Sequence, residues 1–303
     1  MAKPKSPWTE DEISTRKGNC NILVIAPHGH KKNDENTYEI ARHIADDLDC
    51  YAVVNEVYQK PPFKKKNGKR IKNKRTGNYE RYKASKKNRW VDLNNLDQVK
   101  EQLNEKEFLD PIKSLKDGIK KRFGMAHIFL IHGVSDKSMK GESEIMGADP
   151  ELAALLGIGR GNSNEDPPYE HRLSARSKTV TNLINLLNDD IIAAEALPRR
   201  NRKSYAGWDR RNLNQLFTAR NDNDTNVQSV QIEIKWKGHR ETANIQNTAG
   251  IFAEAFSKMD SFKAEVLPTS DEDNIDLVER AYVKLSDIYF SNIGKQYMKP
   301  VNL

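Results

Sequence analysis

Two histidines, an acidic pair and one glutamate are the residues whose type and setting could do chemistry. His28 stands just past the apolar run 22–26, after Pro27, and His132 closes the apolar run 126–131. Asp34 and Glu35 follow His28 by a few residues, and Glu233 lies between Ile232 and Ile234. A hydrolytic zinc site uses three nitrogen or oxygen ligands and leaves one position open. Two imidazoles and one carboxylate supply that number. Glu233, outside the ligand count, could take a proton from water and pass it to a leaving nitrogen. Each residue also has a plainer reading. A histidine that ends a strand can simply hydrogen-bond the backbone, and alternation alone would set Glu233 on the outer face of an edge strand. An unpaired glutamate among apolar neighbours is costly, however, unless it faces a cavity or a partner.

The elements around these residues are strands alternating with helices. Residues 23–26 are a short β-branched run, and Pro27, which has no N–H to donate, stops it. Ile40, Ile44 and Leu48 fall at helical spacing, with Asp34 or Asn36 as the N-cap. Residues 51–54 form a second strand, so this span reads as a parallel βαβ unit. Helices are predicted over 96–103, 111–122, 173–187, 241–259 and 275–290. Further strands are predicted over 126–131, 191–197 and 227–236, the last alternating Val230, Ile232 and Ile234 against Gln231, Glu233 and Lys235, and residues 152–158 are an apolar run leading into a glycine-rich loop. The expected fold class is α/β: a three-layer α/β/α arrangement around a mixed, mainly parallel sheet, phosphorylase/hydrolase-like. Loops at the carboxyl ends of such strands are where ligands bind, and His28 and His132 both stand there.

The net charge of +7 is not a property of the whole chain. Residues 60–89 hold 14 Lys and Arg against one acid, Glu80, so the remainder is net negative. This speaks against a nucleic-acid-binding fold and for one basic excursion, with a hairpin tip at Asn67–Gly68 or Gly77–Asn78. Phe63, Tyr79 and Tyr82 interleave with its cations, so it offers a contact for a polyanion. No apolar run reaches the roughly 20 residues a membrane helix needs. Residues 1–16 lack the apolar core of a signal peptide, and Cys20 and Cys50 read as thiols, so a cytoplasmic setting is expected. The remaining histidines, His43, His127, His171 and His239, read as structural. The loop 157–161 lacks the Gly-Lys-Ser/Thr ending of a phosphate loop.

Several short motifs occur together in one order: Pro27–His28–Gly29, Asp92–Leu93–Asn94, the strand closing on His132, Leu156–Gly157–Ile158–Gly159–Arg160–Gly161–Asn162–Ser163, and Gln231–Ile232–Glu233–Ile234. In this the chain resembles the N-formylglutamate amidohydrolases, a family similar in fold and active-site logic to the zinc carboxypeptidases. The resemblance spans residues 21–256 as scattered motifs. It implies zinc as cofactor, His28 and His132 as ligands, and Asp34 as the carboxylate ligand with Glu35 as its rival. It implies Glu233 as the catalytic base and acid. It makes Arg160 a clamp for a substrate carboxylate, since a guanidinium grips carboxylate in a bidentate fork, and draws Asn94, Asn95 and Arg89 to the substrate side. One departure stands out: where the family has an Arg after the Asp–Leu–Asn step, this chain has Asn95. Arg89, Arg202, Arg210 and Arg211 are the candidates to replace it. His30, two residues past His28, is read as solvated.

The expected organisation is a polar lead-in over 1–18 on which Trp8 and Ile13 dock, a hydrolase-like domain over 19–262 carrying the basic insertion, and a C-terminal helical extension over 263–303. The expected function is a zinc-dependent amidohydrolase that cleaves an N-acyl amino acid or a γ-glutamyl-type peptide by metal-activated water. The alternative is a non-catalytic protein on a hydrolase-like scaffold that binds an acidic polymer or nucleic acid through residues 60–89.

Overall fold

The computed structural model describes residues 7–29, 34–162, 168–198, 204–217 and 226–260. The C-terminal helix expected over 275–290, with the extension it belongs to, lies outside the described residues, as do His30 and Arg202. In chain order the elements are β1 (Trp8–Thr9), β2 (Ile13–Arg16), β3 (Ile22–Ala26), α1 (Thr37–Leu48), β4 (Tyr51–Asn55), β5 (Lys65–Lys66), β6 (Lys69–Arg70), α2 (Leu96–Gln102), α3 (Asn104–Phe123) and β7 (Ala126–Val134). They continue with α4 (Asp136–Met146), β8 (Ala154–Gly157), α5 (Ser177–Leu187), β9 (Ala193–Glu195), β10 (Val227–Lys235) and α6 (Ile245–Asp260).

Eight strands form one sheet in the order β1-β2-β4-β3-β7-β10-β8-β9. The four central strands β4, β3, β7 and β10 run parallel, while β2 and β8 lie antiparallel on either side of them. The sheet is therefore mixed and mainly parallel at its centre, and β3-α1-β4 is the expected parallel unit. Burial on both faces explains why β3, β4 and β7 read as continuous apolar runs. One face carries Val24, Ala52, Phe129, Val230 and Ile232 and packs against α1, α5 and α6. The other carries Leu23, Val53, Ile128, Leu130 and Val227 and packs against α2 and α3. The result is the three-layer α/β/α architecture.

Three differences from the sequence reading have physical causes. Residues 8–16 add strands β1 and β2 to the sheet edge beside β4, a role too short and too polar to show as an apolar run. Arg16 anchors them: it is buried and donates to the carbonyls of Ala45 and Cys50 and to Asp49 at 2.6 Å. Helix α3 runs through Pro111; Phe108, Leu109 and Ile112 are fully buried around it, and that packing outweighs the hydrogen bond a proline removes. Helix α4 has few apolar residues to announce it and is started by Ser135, whose hydroxyl accepts from the Ser138 N–H.

The basic segment folds as a hairpin. β5 and β6 pair antiparallel about Asn67–Gly68, both with positive φ, 51° and 76°, as an Asn-Gly turn requires. Arg81 lies over the Phe63 ring at 3.7 Å, and Arg70 over Phe63 at 4.3 Å. Cys20 and Cys50 are unbridged. No helix among the described residues is long and apolar enough to cross a membrane.

Candidate functional site

The carboxyl ends of the central parallel strands converge on one cluster. His28 follows β3, His132 is near the end of β7, and Glu233 is near the end of β10, with its Cα in register with that of His132. Alternation sends His132 and Glu233 to the same face as Leu130 and Val227. The loop after β3 brings Asp34 back: Nδ1 of His28 lies 3.0 Å from Asp34 Oδ2, and Nδ1 of His132 lies 3.2 Å from the same oxygen. The two imidazoles meet edge to face, with ring centroids 5.1 Å apart.

Local backbone makes this turn possible. Pro27 ends β3, and Gly29 lets α1 come close: a Cβ built on Gly29 would lie 2.6 Å from Cβ of Tyr38. Asp34 and Asn36 both have left-handed backbone, with φ of 49° and 68°, a conformation Asp and Asn tolerate better than most residues. Neither serves as the expected side-chain cap of α1. Asp34 turns to the histidines, and Asn36 donates to the Arg240 carbonyl at 2.8 Å. Thr37 takes over the junction, its hydroxyl 2.8 Å from the carbonyl oxygens of both His28 and Asp34.

Three residues that sequence reasoning did not assign to the site complete it. Asp92 accepts from His28 Nε2 at 2.8 Å and from the Asn94 backbone N–H at 3.1 Å. That contact fixes the ring and turns Nδ1 toward Asp34. Arg240 ties the Asp34 loop to the strand ends, donating to the carbonyls of Glu35, Val134 and Ile234. It packs so closely on Gly133 that a Cβ there would meet the guanidinium carbon at 2.4 Å. Lys60, first residue of the basic segment, interacts electrostatically with Asp34, Asp92 and Glu233. The Asp–Leu–Asn step held a signal for Asp92. Nothing local to residues 60 or 240 distinguishes them from the other cations of the chain.

The charges shape one another. Burial opposes ionisation of Asp34 and Asp92, but Lys60 and His28 outweigh it and hold both carboxyls below their ordinary range. Burial and Lys60 work against the charged form of His28, yet its two aspartates raise it. Burial dominates at His132 and brings it down to about 4, against the pull of Asp34. Burial and then the charge of Asp34 push Glu233 up to about 8, with Lys60 and Gln231 opposing. Gln231 donates to Glu233 Oε1 at 2.8 Å and is itself held by Asn212. A buried polar scaffold of Ser174, Asn214 and Ser229 lies behind it.

His28, Asp34 and His132 could hold a metal ion: one ligand atom from each lies within 4.8 Å of the others. Ligands at zinc bond lengths in a tetrahedron sit roughly 3.3 Å apart, close to the 3.0 and 3.2 Å separations here. His132 Nε2 is buried with no hydrogen-bond partner among the described residues. Two imidazoles, a depressed carboxylate and an outer carboxylate on one ring form a donor set suited to a divalent cation.

The other residues singled out from sequence have partners of their own. Glu35 is exposed; its carbonyl accepts from Arg240, and its charge also acts on that guanidinium. Arg160 donates from Nε to Glu195 at 2.9 Å and from one terminal nitrogen to Ser177. Asn95 caps α2, accepting from the N–H groups of Asp97 and Gln98. Asn94 Oδ1 accepts from the Leu213 N–H. Arg89 reaches Glu12 at 3.2 Å on the surface. Arg210 pairs with Glu170, and Arg211 with Asp209.

No protein-family model matches the chain, and no curated protein matches it. Solved structures do. An N-formylglutamate amidohydrolase from Ralstonia eutropha superimposes with a TM-score of 0.51 at 10% identity, covering 84% of this chain and 99% of that one. A gene product of Agrobacterium tumefaciens gives 0.48 at 12% identity over 82% and 96%, and a bacteriophage poly-gamma-glutamate hydrolase gives 0.38 at 13% over 85% and 92%. In fold, this chain is similar to an N-formylglutamate amidohydrolase.

Proposed function

We propose that the protein is a zinc-dependent amidohydrolase that cleaves the amide bond of an N-acyl amino acid or a γ-glutamyl-type peptide. The observation that carries this reading is the convergence of His28, Asp34 and His132 on one another at the strand ends, with Glu233 on the neighbouring strand in register with His132. His28, Asp34 and His132 would hold the cation. A zinc ion bound there supplies Lewis acidity toward the amide carbonyl and lowers the pKa of water.

The chain's own groups do the rest. Asp92 accepts the Nε2 proton of His28 and so leaves Nδ1 as the donor atom turned inward. Glu233 takes a proton from the attacking water and returns it to the leaving nitrogen. A carboxyl held near neutrality by burial suits a group that must both accept and give a proton. Gln231 fixes the rotamer of Glu233 by its hydrogen bond. Likeness in fold to an amidohydrolase supports the reaction class by analogy; the side-chain geometry is independent of that analogy.

The direct test is amine release from a panel of N-formyl and N-acetyl amino acids and γ-glutamyl dipeptides. Release is expected for at least one member, to be abolished by a chelator, and to return when zinc is added back. Turnover indifferent to chelation, or none on the whole panel, would contradict the proposal.

A further inference from the structure

The cluster of acids around His28 contains one cation whose charge the proposed chemistry does not use. Lys60 lies five residues beyond the end of β4. Its position is fixed by backbone on both sides. Gln59 donates to the Arg89 carbonyl at 2.9 Å and pairs in parallel with Trp90, so the chain through Lys60 runs beside the chain that leads into Asp92. The Pro61 carbonyl accepts from Arg81. At the base of β4, Asn55 bonds the carbonyls of Pro27 and Tyr58, which locks this turn to the residue before His28. Lys60 is half-buried, and its ammonium interacts with Asp34, Asp92 and Glu233 together.

The other cations nearby are committed. Arg240 spends its Nε and both terminal nitrogens on three backbone carbonyls. Arg81 donates to Pro61 and lies over Phe63. The Lys60 ammonium makes no hydrogen bond to any described residue, so its three N–H donors are uncommitted among them.

We propose that Lys60 is a specificity-determining residue, receiving a carboxylate of the substrate beside His28, Asp34 and Glu233. The inference deepens the proposed function and rests on it only for the bond that is cut. Charge balance favours it. Asp34 and Asp92 are ionised and would repel an acidic ligand from a site without a cation of its own. A lysine is a compact point charge with rotatable donors, able to follow a carboxylate that moves between substrate and product. In this chain, then, anion recognition comes from the first residue of the basic excursion.

The experiment measures glutarate binding by calorimetry, with the full chain both zinc-loaded and chelator-treated. Glutarate carries two carboxylates and no amide, so its binding reads anion recognition without turnover. Wild type is expected to bind it. Lys60→Met is expected to weaken binding by about 10-fold or more in each state, as loss of a charge-assisted hydrogen bond implies. Lys60→Arg, which keeps the charge, is expected to stay within about 3-fold of wild type by the same arithmetic. Lys60→Gln serves if the methionine variant does not fold. Equal glutarate affinity in wild type and the charge-removing variants, or no binding by wild type in either state, would overturn the inference. The two readings fail separately. Lys60-dependent binding without turnover on the acyl-amino-acid panel removes only the amidohydrolase, and turnover with Lys60-independent binding removes only the role of Lys60.

Discussion

Glu233→Gln is expected to lower kcat by about 10²–10⁴-fold, the range general acid–base groups contribute, while leaving metal affinity within a few-fold of wild type. Glutamine has nearly the same shape, and its Oε1 can still accept from Gln231. What is lost is the ability to hold a proton between water and the leaving nitrogen. Steady-state kinetics with zinc titration on the same preparation separates this outcome from a structural one. A variant that keeps full kcat would remove Glu233 from the chemistry.

The same substitution has a second consequence, in the metal-free protein. An ordinary glutamate titrates near 4.5, and burial with the charge of Asp34 moves Glu233 up to about 8. Between those values the folded chain keeps a proton that the unfolded chain has released. Stability from this residue therefore falls as pH rises from about 4.5 to about 8. Below that window the group is neutral in both states and costs nothing; above it the full cost of burying the charge is present. Thermal denaturation in chelator should show Glu233→Gln gaining on wild type across this window and levelling off above it. A difference that is flat with pH would mean that Glu233 is not desolvated.

The second large effect is expected at Asp34. Asp34→Ala should weaken zinc binding by more than about 100-fold, beyond the 10–100-fold expected of an outer partner such as Asp92 in Asp92→Asn. The reasons differ. Asp34 Oδ2 sits between the Nδ1 atoms of His28 and His132, so its removal takes away a donor and leaves two imidazoles facing each other. Asp92 touches only the far nitrogen of His28, so Asp92→Asn loosens the ring and its tautomer but spares the donor set. Competition with a chromophoric chelator measures both. If Asp92→Asn cost as much as Asp34→Ala, the assignment of inner and outer carboxylate would be reversed.

Much of this arrangement was legible from sequence because parallel strands buried on both faces must be apolar from end to end. The runs at 22–26 and 126–131 therefore declared themselves, with a histidine after each, and the fold class followed. Alternation in β10 was equally plain and marked Glu233 as the acid on an otherwise apolar strand. What stayed hidden depends on chain returning from far away. His28 and Asp92 meet across 64 positions, and no local period links them. Lys60 was one of 14 cations in a polar stretch, and what sets it apart is the pairing of residue 59 with Trp90, far along the chain. Arg160 has a partner that no local spacing announces. A guanidinium on a glycine-rich loop looks available until Glu195, on the neighbouring strand, is seen to hold it. The edge strands β1 and β2 were missed because four residues with one buried arginine at the end carry no period long enough to read.

The central claim is that His28, Asp34 and His132 together grip one divalent ion. Anomalous diffraction at the zinc edge from crystals grown with zinc tests it most directly. The account predicts one strong anomalous peak, bonded to a ring nitrogen of each histidine and to a carboxylate oxygen of Asp34, with Glu233 outside the coordination sphere. No peak among these three side chains, or a zinc ion bound by Glu233 in place of Asp34, would contradict it.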